Sequence, residues 1–91
     1  MMTDNFKSYT DKLSDILEKK NEAYGNSFDK SLDDLGLIAG VTRIYDKQNR
    51  LINLVKNPKI DDLGESLTDT LTDLAGYAIL MVRYLDARRN R

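Results

Sequence analysis

Apolar residues recur three or four positions apart along most of this chain, and no stretch alternates apolar with polar as a half-buried strand would. The pattern predicts an all-α protein. No internal repeat or low-complexity tract interrupts it. A first helix is expected from about Asp4 to Ala23, with Thr3 as N-cap and Phe6, Tyr9, Leu13, Ile16 and Leu17 as its inward stripe. Tyr24-Gly25-Asn26-Ser27 ends it. A second is expected from about Leu35 to Lys56, with Leu37, Val41, Ile44, Leu51, Ile52 and Val55 on one side and Asn57-Pro58 as the stop. Gly36 and Gly40 near its start fit either a close approach of two backbones or a later helix start.

A third helix is expected after Asp61-Asp62, running to about Arg88, with Leu67, Leu71, Leu74, Ala78, Met81, Val82 and Leu85 on its main stripe. Tyr77, Leu80 and Tyr84 fall on a separate face at 100° per residue, more than a three-helix monomer readily covers. Three main helices in a single domain spanning residues 1–91 are therefore expected, with the bundle completed by a homo-oligomer, a dimer or tetramer. The size argues the same way, because 91 residues without a disulfide bury a limited core.

Composition narrows the chemistry. Lys plus Arg number 14 and Asp plus Glu 15, a net charge of −1 that gives no general attraction to a nucleic-acid polymer or an anionic membrane. No apolar run is long enough to span a bilayer and the start does not read as a signal peptide, so a cytoplasmic protein is expected. With no Cys and no His, thiol nucleophiles, imidazole bases and Cys/His zinc sites are excluded. Carboxylate oxygens are left, and these suit a hard cation such as Mg²⁺ or Mn²⁺.

Three groups of residues are candidates for such chemistry. Glu65, Asp69 and Asp73, spaced i, i+4, i+8, form a ladder of like charges that a bound cation would relieve. The preference of acids for a helix N-terminus accounts for Asp61, Asp62 and Glu65 without any ligand, but poorly for Asp73, three turns in. Arg43, Lys47 and Arg50, with Asp46 beside them, form a row suited to phosphate oxygens; by pattern alone a solvated face is the commoner meaning of such a row. Lys20, Asn21 and Tyr24 continue the apolar stripe of the first helix and are better placed for a ligand than Glu18 and Glu22, which lie away from it. For Tyr24, packing at a helix end is the commoner role.

Three segments in order carry a resemblance: Lys20-Asn21-Glu22-Ala23-Tyr24-Gly25-Asn26-Ser27-Phe28; Arg43-Ile44-Tyr45-Asp46-Lys47-Gln48-Asn49-Arg50-Leu51; and Glu65-Ser66-Leu67-Thr68-Asp69-Thr70-Leu71-Thr72-Asp73-Leu74-Ala75-Gly76-Tyr77-Ala78. Together they resemble the nucleotide modification associated domain 1 family, small proteins often encoded by bacteriophages and related to the MazG-like all-α nucleotide pyrophosphohydrolases. The resemblance implies a MazG-like bundle and Mg²⁺-dependent hydrolysis of (deoxy)nucleoside triphosphates with release of pyrophosphate. It implies Glu65 and Asp69 as catalytic acids and Asp46, Glu65, Asp69 and Asp73 as metal ligands. Lys20, Asn21, Tyr24, Arg43, Lys47 and Arg50 would then contact the nucleotide. The family's first acidic pair is replaced here by Asp46 among basic residues. That departure keeps open a second function, a phage protein of the host cytoplasm that binds or sequesters a nucleotide without turning it over.

Overall fold

The computed structural model describes residues 5–57 and 66–89, and among them it forms four helices and no strand. Helix α1 spans Phe6–Tyr24, α2 Ser27–Leu35, α3 Ile38–Lys56 and α4 Leu67–Arg89. The all-α expectation holds, with one helix more than the three expected.

Local chemistry sets the boundaries. Asn5 caps α1, its side-chain oxygen accepting from the Ser8 N–H at 3.2 Å. The expected cap, Thr3, lies outside the described residues. Gly25 (φ 59°) and Asn26 (φ 62°) both take the left-handed conformation, and the Gly25 N–H donates to the Asn21 carbonyl, so two residues turn the chain from α1 into α2. Gly36, at φ 90°, then breaks the helix expected to start at Leu35, and α3 begins at Ile38. At the start of α4, Ser66 Oγ accepts from the Asp69 N–H at 3.0 Å while Asp69 Oδ2 accepts from the Ser66 N–H at 3.4 Å. This is a capping box with Asp in place of the usual Glu.

The helices alternate in direction. Contacts of Gly40 with Met81 and of Lys47 with Asp73 make α3 antiparallel to α4, and those of Leu17 with Gly76 and of Lys20 with Asp73 do the same for α1. Phe28 meets Tyr77 and Asp33 meets Tyr84, so α2 runs parallel to α4. Both alternatives for the glycines of the second helix are realised, each by a different residue. Gly36 sets the later start. Gly40 is buried where a Cβ would lie 2.9 Å from the Met81 sulfur, so its missing side chain lets α3 and α4 close.

The core is not where the apolar stripes point. Leu32 of α2 and Tyr84 of α4 are the buried apolar side chains among the described residues, and Thr70 is wholly enclosed. Tyr77, Leu80 and Tyr84, expected to await a second subunit, are instead packed within the chain, and α2 supplies Phe28 and Asp33 against them. The expected stripes of the other helices are largely open: Phe6 and Tyr9 are exposed, as are Val41, Ile52 and Val55 on α3 and Leu67, Leu71, Val82 and Leu85 on α4.

Candidate functional site

Four helices meet around a cleft of about 390 Å³, within the range typical of small-molecule sites. Helix α1 contributes Lys20, Asn21 and Tyr24; the start of α2 contributes Ser27, Phe28 and Ser31; α3 contributes Arg43 and α4 Thr72, Asp73 and Tyr77. Leu13, Ile16, Leu17 and Leu80 form its apolar floor. Lys20 and Tyr24 reach the same hollow because they stand one turn apart on α1.

One side of the cleft is charged. Asp73 is about a quarter exposed and bridges two cations, Lys47 Nζ at 3.1 Å and Lys20 Nζ at 3.6 Å. Asp73 thus ties α1 and α3 to α4. Arg43 lines the same cleft with no ion pair among the described residues. The other side is aromatic. Phe28 and Tyr77 stack with ring centroids 5.9 Å apart and planes inclined by 27°, and Tyr24 stands exposed beside them.

A second polar cluster holds α2 in place and so positions Phe28. Asp29 Oδ2 accepts from Arg83 at 2.7 Å, and the Tyr84 hydroxyl donates to Asp33 Oδ1 at 2.7 Å. Arg88 also donates to Asp33 and lies over the Tyr84 ring, 4.1 Å from its centroid. The hydrogen bond to the Asp33 carboxylate, together with burial, raises the Tyr84 phenol above its usual value, while Arg88 opposes the rise. The Arg88 guanidinium is raised in turn, first by Tyr84 and then by Asp33. Sequence reasoning gave α2 no role, and Ser27, Phe28 and Ser31 were missed as cleft residues with it. The available signal was the i, i+4, i+7 spacing of Phe28, Leu32 and Leu35.

The proposed ligand contacts converge in part. Lys20, Asn21, Tyr24 and Arg43 line the cleft, and Lys47 joins it through Asp73. Arg50, two turns beyond Arg43, does not line it. The acids scatter more. Asp46 is exposed and outside the cleft lining, Asp69 is engaged in the α4 capping box, and Glu65 lies outside the described residues. Among the described residues no three Asp or Glu side chains gather closely enough to hold one cation. Asp73 already faces two lysines. The described carboxylates therefore do not by themselves fit a Mg²⁺ or Mn²⁺ centre.

The fold and cleft define an all-α protein with a hollow that is cationic at one side and aromatic at the other. Compared with known families, with curated proteins and with solved structures, the chain matches none. No described helix is long and apolar enough to cross a membrane.

Proposed function

We propose that this protein binds a nucleotide in the cleft between α1, α2, α3 and α4. The supporting observation is that Lys20 and Arg43, from distant parts of the sequence, line one hollow with Tyr24 and the Phe28–Tyr77 pair. Guanidinium and ammonium groups suit phosphate oxygens, and the rings offer a face or edge to a base. Asn21, Ser27 and Ser31 add neutral donors and acceptors for a sugar. In this reading the protein is a nucleotide-binding or sequestering protein of the cytoplasm, of the host if phage-encoded. Its MazG-like bundle is completed by a homo-oligomer. The exposure of Val41, Ile52 and Val55 on α3 supports that last part.

Calorimetric titration with nucleoside mono- and triphosphates in EDTA tests the reading. Binding is expected, weakened about tenfold or more by either Lys20→Ala or Arg43→Ala, since a charge-assisted contact is worth roughly 1.5–3 kcal/mol. If no nucleotide binds at millimolar concentration, the proposal fails.

A second reading is Mg²⁺- or Mn²⁺-dependent pyrophosphohydrolysis, with Glu65 and Asp69 as catalytic acids and Asp46 and Asp73 as further ligands. One observation favours it: Asp73 stands at the cationic side of the cleft, beside the place proposed for phosphates. Pyrophosphate release from deoxynucleoside triphosphates, dependent on the added cation and abolished by Asp69→Asn, would select it. Binding that persists in EDTA, with no product formed when Mg²⁺ or Mn²⁺ is supplied, would select sequestration.

A further inference from the structure

On α3, Ile38, Val41, Tyr45, Gln48, Ile52 and Val55 follow a three-then-four spacing, which is the a/d pattern of a helix seam. Every one of these positions is exposed in the single chain, Ile38, Tyr45 and Val55 by more than 60%. The flanking Thr42 and Asn49 are uncharged and Lys56 stands at the far end of the seam, while Arg43, Asp46, Lys47 and Arg50 lie on other sides of the helix. In a sequence with 32% charged residues, a solvated face would carry charges.

Helix α4 has a matching face. Leu71, Val82 and Leu85 are exposed, with Ala75 and Ala78 between them. The antiparallel contact of Gly40 with Met81 fixes how the two helices are rotated about their axes. At 100° per residue, both exposed faces then turn to the same side of the α3–α4 pair. Gly76 and Tyr77, which receive α1 and α2, lie on the other side of α4.

We infer that this α3–α4 face is the surface on which a second copy of the chain docks, with the Ile38–Val55 seam at its centre. The inference deepens the homo-oligomer of the proposed function and is independent of the ligand. Area supports a second copy as occupant. The exposed apolar side chains of the two faces present on the order of 900 Å², enough for the roughly 800 Å² per partner that a stable association buries. A face with no central charge carries nothing to select an acidic or basic partner, and an isologous contact matches it with itself.

Sedimentation of the full chain at micromolar concentration, with helicity followed by circular dichroism, tests this. A dimer or a larger even-numbered assembly is expected, reduced by Val41→Glu combined with Ile52→Glu to a species of half the size or less that stays helical. Phe6→Glu combined with Tyr9→Glu, on the equally exposed part of α1, is expected to leave assembly intact. A second readout does not depend on the double variant folding: the indole introduced by Tyr45→Trp, in a chain that has no Trp of its own, should emit as a buried one. A wild-type monomer overturns both the inference and the homo-oligomer. An oligomer that survives the α3 substitutions, one lost on the α1 substitutions, or a solvent-exposed indole emission from the Tyr45→Trp protein overturns this surface alone.

Discussion

Neutralising Asp73 separates a charge ladder from a structural tie, because the two predict opposite signs. If Asp73 were only the last of three stacked acids, Asp73→Asn would relieve repulsion and raise stability by a few tenths of a kcal/mol. The structure gives it two cations instead. The Lys47 ammonium, 3.1 Å away, has a side chain only 21% exposed, so its solvent screening is limited. A bond to a charged group in such a setting contributes about 1.5–3 kcal/mol. Lys20 is 55% exposed at 3.6 Å and adds at most a surface pair's contribution, about 0.2–1 kcal/mol. Lys47 has a further interaction of its own, and the Asn amide oxygen keeps part of the hydrogen bonding, so the lower end of the range applies. A loss of about 1.5 kcal/mol is expected, or a fall in Tm of roughly 6–12 °C for a domain of this size. Thermal unfolding followed by circular dichroism measures it. A double-mutant cycle with Lys47→Met should return a coupling of about 1 kcal/mol, shrinking as salt is added. An Asp73→Asn protein as stable as the wild type, or more so, refutes the structural tie.

Other substitutions probe the rest of the fold. Leu32→Ala, at the buried residue of α2, should cost about 2–4 kcal/mol in chemical denaturation. Ser66→Ala removes the N-cap of α4 and should cost about 1 kcal/mol, whereas Asp69→Asn keeps an acceptor and should cost less. Gly40→Val places new atoms against Met81 and should destabilise by about 1–3 kcal/mol; if unfolding shows no loss, the close approach of α3 and α4 is wrong. The Tyr84 phenol is raised in the folded state, so its contribution is complete below the ordinary phenol pKa of about 10 and is lost as pH rises through the raised value. Ultraviolet titration should show a tyrosinate step above the usual range that is missing from Tyr84→Phe.

Much of the secondary structure was legible in the sequence, and the reasons are local. Helical spacing, the Tyr24-Gly25-Asn26-Ser27 turn and the stop before Pro58 depend on neighbouring residues, which a sequence displays directly. Helix α2 escaped because nine residues are too few to be helical alone. Tertiary contacts hold it, through Asp29 with Arg83 and Asp33 with Tyr84 and Arg88. Among the candidate site residues, Lys20, Asn21, Tyr24 and Arg43 line one cleft, and the sequence had singled them out by chemistry and spacing alone. Phe28 and Tyr77 were not singled out, because stacked rings from α2 and α4 are 49 positions apart in a chain that gives no sign of their pairing.

By itself the sequence determined that the chain is helical, where most of its turns fall, and that neither thiol nor imidazole takes part in its chemistry. Periodicity and composition suffice for those conclusions. Which apolar face lies inside was decided only by the tertiary structure. Helix α4 has two such faces, and the one bearing Tyr77 and Tyr84 is covered because α2 folds onto it, leaving Leu71, Val82 and Leu85 outside. The face left outside carries Leu and Val where the covered one carries two tyrosines, so transfer from water alone cannot select the tyrosine face. Specific partners can: a carboxylate for the Tyr84 hydroxyl, a ring for Tyr77, and the close backbone approach allowed at Gly40 and Gly76.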